Sequence, residues 1–502
     1  MDGICCIFGP NPIDRKKPCA TLISVASRRG SMFSGPDLVL YPTSQPLWHY
    51  FFLMTASSRN DSLQFLEDLA STALKQGADS ADALCVDNTS LTVGCRMGKT
   101  ETLDRSESAD IGLRVLIGKR QAIVSTTDRS TETLRDLVNR AVAMARLAPE
   151  DPFCGLAEPS QLSKDAPTLD LDDHVEIEAS QLVTLTKRAE DAMMTVKGVT
   201  LSDGAEATSS RSHITLAASN GFHGQYTRST YGFTISAVAG EGTEKEAGYD
   251  YAARVFWKDM PDIENLGRTA GENAVKRLGA RKMPTGQLPV VFDRKVANGL
   301  LRSFVSAING AAVARGTSYL KDCMGQRIFP EAVTITDDPF KPQGLRSRPF
   351  DVEGLQATPR KLIDNGVLTG WIMDLRSARQ LGLNSTGHAS RGTGGPPSPS
   401  ATNVSLLPGP LSVAALMKDI KQGFYVTDLM GSGVDPITGD YSQGAAGFWI
   451  ENGTITFPVS EMSVAGQIRD MFMHLTAADD LQHAYGIDCP TLRIEGMTVA
   501  GV

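Results

Sequence analysis

The sequence contains no run approaching the roughly 18 consecutive apolar residues that a membrane-spanning helix requires. Its most apolar stretch, LWHYFFLMTA at 47–56, is short and carries His49. Positive charge is scarce too: 49 Lys+Arg against 57 Asp+Glu leave a net charge of −8, which speaks against a chain that grips nucleic acid through its phosphates. The eight cysteines (Cys5, Cys6, Cys19, Cys85, Cys95, Cys154, Cys323 and Cys489) are scattered and form no C-x-x-C pair. They read as reduced thiols, and a cytoplasmic location is expected. SRRGSMF at 27–33 bears a faint likeness to a twin-arginine export signal. Pro36, Asp37, Pro42, Pro46 and His49 interrupt the apolar core that such a signal needs.

The usual catalytic signatures are missing as well. No serine sits in G-x-S-x-G, and neither G-x-x-x-x-G-K-[ST] nor a strand-to-helix G-x-G-x-x-G occurs, so hydrolase-elbow and nucleotide chemistries lose their signatures. GTGGPP at 392–397 runs into prolines instead of a helix. A zinc site usually starts from two closely spaced ligands on one element. Of the seven histidines, only His213/His223 and His474/His483 lie even ten residues apart. The first pair flanks Asn220-Gly221 and reads as surface or cross-strand histidines, with mutual facing as the alternative. His388, beside a glycine-rich loop, is read in the same bland way.

What is present is the composition of a folded protein: 502 residues, 41% hydrophobic and 21% charged, a length that calls for two or three domains. Residues 1–53 hold six prolines and three cysteines without periodicity, so they read as a disordered extension or a mis-assigned start ahead of Met54. From Asp61, Leu63, Leu66, Leu69, Ala70, Ala73 and Leu74 share one helical face that Gly77 stops. Alternating strand patterns follow, then a second helix at 131–147, and together they make an N-terminal α+β domain at 54–165. The acidic run LDLDDHVEIE at 169–178 reads as a solvated face. A mixed middle domain at 166–285 has helices near 180–196 and 263–278 and a hairpin signal at Asn220-Gly221. Residues 286–502 form a β-rich C-terminal domain with a helix at 296–308 and turns at Asn365-Gly366 and Asn452-Gly453. RGTGGPPSPSATN at 391–403 reads as an ordered surface loop. The fold class is α+β.

A series of segments, in this order and at this spacing, carries a family resemblance. They include GLRVLIGKRQAIVSTTD, VVFDRKVANGLL, INGAAVARGTSYLKDCMGQRIF, RPFDVEGL, GHASRGTGGPPSPSATN, YVTDLMGSGVDPITGDYSQGAAGFWIENGTITFPVSEMSVAG and CPTLRIEGMTVAG. Together they resemble the TldD/PmbA family from Met54 onward, and INGAAVARGTSYLKD with GDYSQGAAGFWIENG points to its PmbA (TldE) branch.

In the TldD branch a helix carries H-E-x-x-x-H and a later cysteine completes a zinc site. Aligning the preceding LL with Leu300-Leu301 puts Arg302 at the first histidine, Ser303 at the glutamate and Ala307 at the second histidine. Arginine does not give up its proton to ligate, serine is no carboxylate base, and alanine has no donor atom. Cys489 lies nearer the final PTL than the family's ligand cysteine and is not carried over. No catalytic or metal residue is therefore expected in this chain.

The resemblance implies a non-catalytic subunit of a TldD/TldE-type metalloprotease that processes unfolded or leader peptides. A TldD-like partner subunit would hold the Zn. Family members are linked to microcin maturation, an antitoxin and DNA gyrase, so the alternative is a regulatory binding protein acting on gyrase or a toxin-antitoxin system without proteolysis. Arg302 reads as a solvated helix arginine, with contact to a peptide carboxylate or to the partner as the other option. Gly431, Gly433, Gly439, Gly444 and Gly447 are candidates for a peptide groove where backbones approach closely.

Overall fold

The structure is a computed structural model that describes residues 48–431 and 433–501, with side chains from Ser62 onward. The expectation for the N-terminal extension lies, over residues 1–47, outside the described residues.

The first six strands form one antiparallel sheet. Its members are β1 (Ser80–Arg96), β2 (Lys99–Ile117), β3 (Arg120–Thr126), β4 (Val199–Ala218), β5 (His223–Ala239) and β6 (Glu246–Arg254), in the spatial order β3-β2-β1-β4-β5-β6. Four helices accompany them: α1 (Trp48–Lys75), α2 (Thr131–Leu147), α3 (Ala179–Met194) and α4 (Ile263–Lys276). The chain thus runs α-β-β-β-α twice, and the two halves meet along the β1–β4 ladder. Each half buries the apolar faces of its own helices. Leu66, Leu69 and Ala73 of α1 and Leu137, Val138 and Ala141 of α2 pack with Ile111 and Leu113, while Leu182 and Met193 of α3 and Ala270 and Ala274 of α4 pack with Phe233 and Ile235.

Helix boundaries follow local chemistry. The Ser130 side chain accepts the Thr133 N–H at the start of α2, and Gly77, at φ 98°, follows the end of α1. The Asn220-Gly221 hairpin is present, but its turn spans the four residues between Ala218 and His223, with only Gly221 in the left-handed region. The Asn220 amide bridges the turn and a neighbouring segment, its Oδ1 accepting the Phe222 N–H at 3.2 Å and its Nδ2 donating to the Ala157 carbonyl at 3.0 Å. The acidic run at 169–178 is a docked strap instead of a free solvated face. Leu171 is buried, Asp172 pairs with Arg211 and Asp173 accepts the Trp257 N–H at 2.6 Å.

The C-terminal region holds β7 (Gly286–Phe292), β8 (Ile335–Asp338), β9 (Arg360–Asp364), β10 (Val367–Leu368), β11 (Ala389–Ser390), β12 (Ser398–Pro399) and β13 (Asn403–Leu406). It continues with β14 (Gln422–Met430), β15 (Asp440–Glu451), β16 (Thr454–Gln467), β17 (Leu475–Ala477), β18 (Ile487–Asp488) and β19 (Leu492–Ala500). One sheet runs β10-β9-β8-β13-β18; the other runs β16-β15-β14-β7-β19-β17. Because β16 also pairs with β19, the second sheet curls onto itself as a barrel and exposes less free edge than an open sheet would. Asn365-Gly366 and Asn452-Gly453 turn their hairpins with both residues at positive φ, as a type I′ turn requires.

The 391–403 segment is not a plain surface loop. It includes part of the β11–β12 hairpin, and the Arg391 side chain is fully buried beneath it. Arg391 donates Nη2 to Asp82 Oδ1, while Arg114, the register partner of Asp82 on β2, donates Nε to Oδ2 at 2.6 Å. Gly112 lets this segment lie flat on the sheet, because a Cβ there would stand 2.1 Å from the Thr393 carbonyl oxygen.

Removing the carboxylate would leave two buried guanidiniums without their counter-charge. Asp82→Ala should therefore cost about 3–5 kcal/mol in urea unfolding. Glu107→Ala, which breaks the exposed pair with Arg105, should cost no more than about 1 kcal/mol.

Candidate functional site

Helix α5 (Arg294–Ala307) starts directly after β7, where the Asp293 side chain caps it by accepting the Lys295 N–H at 2.9 Å. Tyr425 on β14 holds that cap by donating its hydroxyl to Asp293 Oδ2 at 2.7 Å. Leu300, Leu301 and Phe304 of α5 are buried, and Phe304 meets Phe329 and Phe472 edge-on at 5.5 and 6.2 Å. Val296 and Val305 pack more loosely against the same core.

The opposite side of α5 borders a cleft of about 260 Å³. Lys295, Asn298, Gly299, Arg302 and Ser303 come from the helix, Tyr249 and Tyr251 from β6, Leu429 from β14, Gly433 from the following turn, and Tyr441 and Gln443 from β15. Arg302 is exposed at this cleft and Ser303 donates its hydroxyl to the Gly299 carbonyl at 3.0 Å. Ala307 does not reach the cleft; it is 5% exposed and belongs to the core. The three aligned positions therefore split between cleft and core, and none carries a group that suits zinc. Among the described residues, no cluster of three or more His, Cys, Asp or Glu side chains is arranged to hold a metal.

The acidic groups near the cleft are already engaged. Asp250 is clamped by Lys295 at 2.5 Å, and Asp428 meets Arg277 at 3.0 Å although burial still pushes its carboxyl up. Burial raises the Tyr249 and Tyr251 phenols, which keeps them protonated as donors. Tyr251 is stacked with Tyr249 at 6.3 Å and lies tilted against Tyr485 at 5.1 Å. The cleft's serine hydroxyl is turned into the helix and the carboxylates beside it are paired, while phenol, amide and guanidinium groups remain among its lining residues.

Asn298 is the feature that sequence reasoning passes over. It is 6% exposed, lines the cleft, and its Oδ1 is buried without a hydrogen-bond partner. A polar residue three positions before Leu301, within an otherwise apolar buried set, is the signal that was available.

Of the five groove glycines, Gly433 lines the cleft. Gly431 and Gly439 take positive φ in the turn between β14 and β15, and Gly444 lies opposite Met430 within the ladder. Gly447 belongs to the sheet itself, at a bulge where a Cβ would stand 2.0 Å from the Tyr425 carbonyl oxygen. His213 faces Thr227 at 2.9 Å, whereas His223 pairs with Ala217 and reaches Glu67 at 3.5 Å, so the two do not converge. Cys489 is buried, and burial raises its thiol far above its ordinary range. His388 is fully buried, with Nε2 2.6 Å from Asp337 Oδ2 and Nδ1 2.7 Å from the Thr386 carbonyl.

Three family models, described as domain 1, the central domain and the C-terminal domain of PmbA/TldA metallopeptidases, match residues 81–145, 172–278 and 285–501. The chain is 34% identical to the metalloprotease PmbA of Escherichia coli O157:H7 over 443 residues, covering 87% of this chain and 96% of that protein. The chain belongs to the PmbA/TldD family, in its PmbA (TldE) branch. A PmbA homologue from Haemophilus influenzae is 32% identical, over 86% of this chain and 94% of its own length. Among solved structures, a Bacteroides thetaiotaomicron protein whose name proposes a modulator of DNA gyrase matches with TM-score 0.81 at 25% identity, over 88% of this chain and 98% of that one. TldE from Thermococcus kodakarensis shares the PmbA/TldE fold with TM-score 0.78 at 20% identity, over 87% and 100% of the two chains.

Two measurements follow. The Asp337 carboxyl, although buried, is held below its usual range by His388 and by the Thr402 N–H and hydroxyl, both at 2.9 Å. A depressed folded-state pKa contributes stability that is complete above the ordinary carboxylate value near pH 4 and is lost as pH falls through the folded value. Asp337→Asn should thus flatten the acid limb of a stability–pH curve below about pH 4. Separately, elemental analysis of the dialysed protein should find zinc well below one per chain, since Arg302, Ser303 and Ala307 offer no ligand.

Proposed function

We propose that this chain is a non-catalytic, TldE-type subunit of a two-component metalloprotease that handles unfolded or leader peptides. Its partner would be a TldD-like subunit supplying both zinc and the carboxylate base. The observation that carries this reading is the state of α5. The helix keeps its cap, its aromatic packing and its place beside a cleft, while Arg302, Ser303 and Ala307 stand where the family's zinc motif would be. A framework retained around a lost metal site has a use other than metal chemistry, and peptide positioning next to a catalytic partner is the use this family offers. The alternative, regulatory binding to gyrase or a toxin-antitoxin system, rests on the family resemblance, and the name of the Bacteroides protein supports only its gyrase part.

Reconstitution from separately purified subunits tests the proposal. The TldD-like subunit of the same organism should co-elute with this chain on gel filtration, as an interface of about 1,200–2,000 Å² or more permits. Its peptidase activity on unfolded peptides should rise or appear only in the pair, and chelation should abolish it. Equal activity of the TldD-like subunit alone, with no co-elution, would replace this reading by regulatory binding.

A further inference from the structure

We propose that the surface leading out of the α5 cleft binds an acidic segment of an extended peptide, its carboxylates pairing with Arg294 and Arg302 of α5, Arg228 of β5, and Arg346 and Arg348 of the segment between β8 and β9. This rests on the peptide-handling reading above and deepens it by naming which peptides the chain holds.

The five guanidiniums belong to one connected patch. Arg294 and Arg302 both act electrostatically on the Tyr251 phenol in the cleft. Tyr251 meets Tyr485 at 5.1 Å, and the next residue, Gly486, lies against the stem of Arg346, where a Cβ would stand 2.7 Å from Cγ. Arg346, outside the cleft, is in turn within electrostatic reach of Arg348, Arg302 and Arg228. Burial, followed by repulsion from these neighbours, pushes its guanidinium down to about 10.

This charge is left uncancelled. Among the described residues none of the five arginines is in an ion pair, and the acids nearby are engaged elsewhere: Asp250 by Lys295 at 2.5 Å, Asp337 by His388 at 2.6 Å, and Asp351 by the N–H groups of Glu353, Leu355 and Ala389. Three of the arginines are held by carbonyls instead, Arg228 by Leu345, Arg346 by Ala401 and Thr402, and Arg348 by Ser400. A carbonyl orients a guanidinium without neutralising it, so the charges are set in place for an outside anion. Donors also remain open. Arg228 Nε and Nη1, Arg346 Nη1 and Arg348 Nη1 make no hydrogen bond and are not sealed from solvent; Arg348 Nε is sealed and takes no part. Arg294 is half-buried and Arg302 exposed. Charges drawn from three elements suit several carboxylates spaced along a chain better than one compact anion. A nucleic acid long enough to reach beyond the patch would meet a chain whose net charge is −8.

The test follows fluorescence anisotropy with the full chain at low salt and two labelled peptides, acetyl-Gly-Glu-Glu-Ala-Glu-Glu-Gly amide and its counterpart with every Glu replaced by Gln. The acidic peptide should bind at least about tenfold more tightly, and its affinity should fall as salt rises through about 0.15 M. Arg302→Gln, at an exposed position, should weaken it by up to about fivefold, and Arg294→Gln combined with Arg302→Gln by about tenfold. Arg135→Gln combined with Arg140→Gln, which removes the same charge from the exposed side of α2, should leave it unchanged. Equal binding of the two peptides overturns the proposal, as does an equal loss from the α2 variant. A ten-residue oligothymidylate that binds as tightly as the acidic peptide overturns the assignment to a peptide. Co-elution with a TldD-like subunit is a separate readout: acidic-peptide binding without it sinks the subunit reading alone, and co-elution without acidic selectivity sinks only this proposal.

Discussion

The carboxylate of Asp82, buried on β1, is shared by Arg114 from the neighbouring strand and by Arg391 from a hairpin 309 residues further along the chain. That shared charge ties the C-terminal region to the first sheet. Arg391 Nε and Nη1 are buried without partners, so the side chain is held there at a cost that only the ion pair and the close packing over Gly112 offset. Once the hairpin is fixed on β1 and β2, the C-terminal sheets are set against the same body whose far edge is β6. The cleft has one wall from β6 and the other from α5, β14 and β15, so its shape depends on an attachment made well away from it.

The packing of α5 explains how a site can change its chemistry without changing its frame. Leu300, Leu301 and Phe304 fix the helix by apolar contact alone, and that contact is indifferent to what the other side carries. Arg302 and Ser303 sit at the cleft, where side-chain length is free to vary. Ala307 is different, since it lies against the core and a larger residue would have to find room there.

How much of this was legible depends on how local the signal is. The helix expected at 131–147 is Thr131–Leu147, because its cap Ser130, its apolar spacing and Pro149 just beyond its end all lie in or beside the segment. The turns at Asn365-Gly366 and Asn452-Gly453 were readable for the same reason. The sequence motifs also placed the chain in its family and located Arg302 and Ser303 beside what proves to be a cleft. Long-range features left no such trace. The repeated α-β-β-β-α plan is carried by geometry and not by matching residues, and the cleft joins residues as distant as Tyr249 and Gln443. Arg391 looked like a loop arginine because its partner, Asp82, is brought to it only by the tertiary fold. Asn298 left no sign in the sequence analysis, because the apolar spacing of its helix says nothing of a polar residue buried beside it.

The shared sheet has a consequence for how the chain is made. β1 carries β2 on one side and β4 on the other, yet β4 begins at Val199, about a hundred residues after β1 ends at Arg96. At a synthesis rate of about 5–20 residues per second, β1 waits roughly 5–20 s for its second neighbour. During that interval a 17-residue strand has one side unpaired, the kind of edge that recruits other nascent chains. The β1 sequence carries Asp82 and Asp87, and charged side chains on a strand are among the devices that discourage edge-to-edge pairing.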